Sequence, residues 1–135
     1  MSADDADALA MPLILFVEDE VLISDMVVHA LEEAGFSTLV ASDGETGMSL
    51  IKQHGHEIRG LITDINLNMA MDGWELAQAA RENTADLPIV YVSGASGHEW
   101  ASRGVPNSLM ITKPFAPAQV VVAISSLLVA SDTAT

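Results

Sequence analysis

Five short apolar runs, each closed abruptly by a polar or charged residue and followed by a segment of helical period, constrain this chain more than any other feature. Leu13 to Val17, Phe36 to Ala41, Gly60 to Thr63, Ile89 to Val92 and Ser108 to Thr112 are short and continuous. Strands buried on both faces read this way. Val21 to Ala34 carries Leu22, Met26, Val27, Ala30, Leu31 and Ala34 at helical spacing, with acids at its start that suit the helix dipole and Gly35 placed to end it. Ser42-Asp43-Gly44-Glu45 has the spacing of a capping box ahead of Met48, Leu50 and Ile51. Asp72 to Glu75 opens a third helix through about Asn83, with Leu76, Ala77 and Ala80 on one face. Ser96 to Glu99 opens a short fourth helix, which Gly104 and Pro106 end. Pro117 suits the first turn of the last helix, striped by Val120, Val121, Ile124, Leu127 and Leu128.

Strand and helix alternating five times predict an α/β fold, a five-stranded parallel doubly wound sheet of flavodoxin-like order 2-1-3-4-5 with helices on both faces. Ligands of such sheets bind beyond the carboxyl ends of the strands. Residues 12–129 are expected to form one domain, with 1–11 a disordered leader and 130–135 a flexible tail.

The charge narrows the function classes. Nineteen acids face five Lys and Arg, for a net charge of −14. A bare surface of that sign repels nucleic acid and anionic membranes and favours cations or basic partners. The absence of cysteine excludes disulfides, thiolate metal sites and thiol nucleophiles. No stretch is long enough to span a bilayer, and a cytoplasmic location is expected. His29, His54, His56 and His98 form no ligand spacing with nearby acids.

The residues just beyond the strands form a pattern. Strand one ends at Glu18-Asp19, strand three at Asp64, strand four at Ser93 and strand five at Lys113. On the proposed sheet, three carboxylates, a hydroxyl and an ammonium meet at one edge. Carboxylates that close raise one another's pKa values, and a hard divalent cation with oxygen ligands, magnesium or calcium, resolves the repulsion. A lysine and a hydroxyl beside such a cation suit phosphoryl chemistry, and a carboxylate in line with phosphorus can be the nucleophile. Asp64, on the middle strand, is that nucleophile in this reading, and Asn66 can offer its backbone carbonyl to the metal. Singly, each residue has a plainer explanation: helix-start acids, a turn serine, a solvated lysine. Their joint placement at successive strand ends outweighs it.

These motifs resemble the receiver domain of response regulators in two-component signalling. The resemblance rests on Phe16-Val17-Glu18-Asp19-Glu20, Ile62-Thr63-Asp64-Ile65-Asn66, Met71-Asp72-Gly73-Trp74-Glu75-Leu76, Val92-Ser93-Gly94 and Ile111-Thr112-Lys113-Pro114-Phe115. It implies that Asp64 accepts a phosphoryl group from a histidine kinase or histidine phosphotransfer protein and catalyses its own phosphorylation and dephosphorylation. It further implies magnesium held by Asp19, Asp64 and Asn66, with Glu18 acting through water, Ser93 as hydroxyl switch, Lys113 as phosphate clamp, and a cis Lys113-Pro114 bond. Output would pass through protein contacts of the fourth helix, fifth strand and fifth helix, a homodimer among them, as in stand-alone receivers; a phosphate sink is the alternative role.

The chain departs from the family where Met110 replaces an aromatic, where Leu67 to Met71 lacks the usual proline and looks one residue longer, and where Gly94 replaces alanine. Asp64, Asn66, Asn68, Ala70, Asp72 and Glu75 also fall at the ligand positions of a calcium-binding EF-hand loop. That reading fails on Met69 in place of the glycine and on a strand where a helix should precede. An aspartyl phosphatase would need an acid where Asn66 stands. A flavodoxin-like cofactor carrier would set three acids against its phosphate.

Overall fold

A computed structural model describes residues 11–67, 71–94 and 97–133. Five strands, β1 (Leu13–Val17), β2 (Ser37–Ala41), β3 (Ile58–Asp64), β4 (Ile89–Ser93) and β5 (Ser108–Thr112), form one parallel sheet in the order β2-β1-β3-β4-β5. The helices are α1 (Val21–Glu33), α2 (Gly44–His54), α3 (Gly73–Asn83), α4 (Trp100–Arg103) and α5 (Pro117–Thr133). Short 3-10 turns lie at Gly55–Glu57 and Gly97–Glu99. This is the expected flavodoxin-like fold.

Every second residue of β1 faces the other way, and both sides are buried. Leu15 and Val17 join Ile51, Leu76, Ala80, Trp74 and Tyr91 in the core shared with α2 and α3. Ile14 and Phe16 join Val27, Leu31, Val120, Ile124 and Leu128 on the side of α1 and α5. Burial on both faces explains why β1, β3 and β4 read as continuous apolar runs, whereas the edge strands β2 and β5 are only partly buried, contrary to expectation.

Helix ends follow local chemistry. α1 stops in a Schellman arrangement: Gly35 at φ +97°, its N–H on the Glu32 carbonyl, and the Phe36 N–H on the Leu31 carbonyl. Asp72 and Glu75 close a reciprocal capping box on α3, with hydrogen bonds of 2.9 and 3.1 Å. The box expected from Ser42 does not form. Asp43 is the N-cap, accepting from Thr46 N at 2.7 Å, and Glu45 instead accepts from Met71 N at 3.2 Å.

Two further expectations are corrected. Leu22 and Met26 lie outside on α1, because Ser24, Val27 and Leu31 set the buried stripe and a polar Ser24 hid its phase. No acid occupies the first turn of α1, since Glu18, Asp19 and Glu20 all precede it. α5 continues through 130–133, where neither glycine nor proline stops it. The leader at 1–10, the loop residues Asn68 to Ala70, and Ser96 lie outside the described residues.

Candidate functional site

The sheet register delivers the site. Val17 pairs with Thr63, so Glu18 and Asp64 leave neighbouring strands at one level. Asp64 pairs with Val92, and Ser93 with Thr112, which places Ser93 and Lys113 one step further on the same edge. Backbone bonds continue the ladder past the strands: Glu18 N to Ala41 O at 3.0 Å, Ile65 N to Val92 O at 3.1 Å, and Lys113 N to Ser93 O at 2.8 Å. The Lys113-Pro114 peptide bond is cis.

Asp64 is 5% exposed and fully engaged. Its Oδ1 accepts from Asn66 N at 3.2 Å, and its Oδ2 accepts from Lys113 Nζ at 3.0 Å. Lys113 Nζ also lies 3.2 Å from Glu18 Oε1. One ammonium therefore bridges two carboxylates. Burial alone would lower the Lys113 pKa, but its hydrogen bond to Asp64 and the charges of Asp64 and Glu18 raise it overall. Lys113 stays charged at physiological pH.

Glu18 carries the strain of the arrangement. Burial, then the charge of Asp64, pushes its carboxyl from an ordinary 4.5 up to about 7, against the opposing pull of Glu20 N–H and Lys113. Glu18 Oε2 accepts from Glu20 N at 3.2 Å. Oε1 is buried, and its contact with Lys113 lies outside hydrogen-bond geometry. Its charge is met while its lone pairs are not.

A hard cation answers that need, and the donors fit one. Carboxylate oxygens of Glu18, Asp19 and Glu20 lie within 4.8 Å of one another, and every donor is oxygen, which selects magnesium-like cations over zinc. Sequence reasoning did not include Glu20 in this set. As N-cap of α1 it turns beside Glu18, and only the position of the helix start reveals it. Asn66 is exposed at the turn after β3, and Ser93 is buried at the end of β4.

A second residue the motif reading underused is Gly73. A Cβ there would lie 2.2 Å from the Asp64 carbonyl oxygen and 2.6 Å from Ile65 Cα. Gly73 N donates to Ile65 O at 2.8 Å. The first turn of α3 thus rests directly on the backbone of Asp64. The calcium-loop reading fails here too, because Asp72 and Glu75 cap α3 and Asp64 ends a strand.

Known proteins resemble this chain in sequence and fold. The family described as response regulator receiver domain matches residues 14–125. The DNA-binding dual master transcriptional regulator RpaA of Synechocystis sp. is 30% identical over 126 residues, covering 90% of this chain and 51% of that protein. The sensor kinase CckA of Brucella abortus is 26% identical over 122 residues, 88% of this chain and 13% of that one. A response regulator receiver protein from Sinorhizobium medicae superposes with a TM-score of 0.84 at 40% identity, covering 89% of this chain and 96% of that one. The chain spans about half the length of the regulator RpaA and a small part of the kinase. The family match begins in β1, ends in α5 and takes in every strand end that contributes to the site. This chain belongs to the response regulator receiver family of two-component signalling.

Proposed function

We propose that Asp64 is the residue that accepts the phosphoryl group, in the cytoplasm, from a histidine kinase or a histidine phosphotransfer protein. One observation carries the reading: Lys113 holds the Asp64 carboxylate at 3.0 Å beside a buried Glu18 whose oxygen lacks a hydrogen bond. An Asp64 oxygen attacks phosphorus, the bond from phosphorus to the donor nitrogen breaks, and the electron pair returns to the donor imidazole. Lys113 neutralises one phosphoryl oxygen, and the Ser93 hydroxyl donates to another. Glu18, Asp19, Asp64 and the Asn66 carbonyl are the residues that would hold magnesium. Bound there, the cation offsets the charge that builds on the phosphoryl oxygens. The same residues, with water, serve the return hydrolysis.

The experiment is phosphotransfer from a labelled phosphohistidine donor to wild type and to Asp64→Asn. Wild type takes up label only with magnesium, and the variant takes up none. Label retained by the variant contradicts the assignment.

The donor has a place to dock. Val21, Leu22 and Met26 are 71, 79 and 52% exposed on α1, immediately beyond the acids that line the site. Apolar surface beside a reactive carboxylate suits a partner helix that must present a phosphohistidine there. Leu22→Asp is expected to slow transfer from a protein donor about tenfold, a usual loss for a central interface residue. Transfer from acetyl phosphate, which needs no docking, stays at the wild-type rate.

Output is assigned to the face made by α4, β5 and α5. From Gly104 to Ser131 the only charged residue is Lys113, which is committed to the site. Val122 and Val129 are exposed on α5, and Trp100 on α4. In a chain of net charge −14, this face carries no acid from Trp100 to Ser131 and adds the exposed Arg103 of α4, so it is where a downstream protein or a second copy can approach with least repulsion.

A further inference from the structure

α4 is a single turn, yet it is anchored from several sides. Val105 N donates to the Tyr91 hydroxyl at 3.0 Å. Trp100 Nε1 donates to Ser108 Oγ at 3.0 Å, and that hydroxyl donates to Val105 O at 2.6 Å. Arg81 holds the carbonyls of Pro106 and Asn107 at 2.7 and 3.3 Å. These contacts fix α4, through Trp100, and the segment after it, residues 105–107, to β4, β5 and the end of α3.

Arg103 is different: its Nη1 lies 3.4 Å from Glu99 Oε2 beside its own helix, while its other two contacts lead towards Asp64. Its guanidinium stands 5.5 Å from the centre of the Trp74 ring, and its Nη2 lies 3.8 Å from Asp72 Oδ2. Asp72 is the N-cap of α3, and Trp74 is the second residue of that helix. Both ride on the turn whose Gly73 lies against the Asp64 carbonyl with no room for a methyl group. Trp74 is buried, with its ring 4.8 Å from that of Tyr91. Tyr91 pairs in register with Met110, the position where this chain lacks an aromatic residue.

We propose that Arg103 is a positioning residue that latches α4 to the turn behind Asp64, so that phosphorylation reaches the output face through Trp74 and not through position 110. The proposal rests on Asp64 being the acceptor. Because α3 packs backbone against backbone on Asp64, a shift of the acceptor on taking up a phosphoryl group moves Asp72 and Trp74 with it. Arg103 then loses one grip or both. The Arg103 side chain is 44% exposed, so the latch is weak enough for a modest change at the site to redistribute it.

The test uses the full chain, acetyl phosphate with magnesium, and two variants that keep the local structure. Arg103→Met keeps an apolar stem over the ring, and Asp72→Asn keeps the N-cap oxygen. Opening the latch favours the accepting conformation, so each variant is expected to take up the phosphoryl group about two- to fivefold faster, the scale of one exposed cation–π contact or ion pair. The double variant is no faster than the better single one, because both changes remove the same contact. In wild type the amide signals of Glu99 to Arg103 shift with labelling; in Arg103→Met they no longer follow it. Wild-type rates in both variants, or α4 shifts that follow labelling unchanged, overturn the latch alone. Absence of labelling on wild-type Asp64 overturns the acceptor reading and the latch with it.

Discussion

Glu18→Gln is expected to stabilise the metal-free protein above neutral pH and to remove its response to magnesium. The Glu18 carboxyl sits at about 7 in the folded chain against an ordinary 4.5. The folded state therefore binds more protons than the unfolded state between those values, and stability falls as pH rises through that window. At about 1.4 kcal/mol per unit, the deficit above pH 7 is on the order of 3–4 kcal/mol. Glutamine has no proton to lose and still accepts from Glu20 N. Urea denaturation at pH 5 and pH 8 checks this. The variant gains over wild type at pH 8 and little at pH 5, and magnesium at pH 8 lifts wild type but not the variant. An equal difference at both pH values would show that burial of the Glu18 charge is not the cause.

Gly73→Ala is expected to cost about 3 kcal/mol or more, large for the addition of one methyl group. The new Cβ meets the Asp64 carbonyl oxygen at 2.2 Å and Ile65 Cα at 2.6 Å, and both are backbone atoms that no rotamer change can move aside. Either α3 lifts from the sheet or Asp64 is displaced from Lys113, so acceptor activity falls along with stability. Gly94→Ala is the control. Among the described residues a Cβ there meets only Lys113 Cβ, at an ordinary 3.8 Å, and stability should stay within about 0.5 kcal/mol of wild type. Urea denaturation of the two variants separates a demand for close approach at Gly73 from a general cost of replacing glycine.

The difference between these glycines shows where the chain was legible. Strand order and the site edge followed from hydrophobic runs that stop at Glu18, Asp64, Ser93 and Lys113, since a buried parallel strand admits little else. The start of α3 was legible at Asp72, although the capping box it closes with Glu75 appeared only in the structure. The box at Ser42 was not, because Asp43 competes one residue on and Met71, distant in sequence, takes Glu45. The outward turn of Leu22 and Met26 was hidden because their apolar character signals a core, while the buried position next to them is a serine. Glu20, Gly73 and Arg103 depend on contacts between segments far apart in the chain, which periodicity does not carry.

That Asp64 forms the acyl phosphate is a chemical statement, and chemistry tests it most directly. The protein is phosphorylated with acetyl phosphate and magnesium, reduced with borohydride and mapped by its peptides. Reduction converts an aspartyl phosphate to homoserine while leaving free carboxylates intact. Homoserine is expected at position 64 and at no other acid. Homoserine at Asp19 or Asp72, or none at all in protein that carries phosphoryl label, would contradict the assignment.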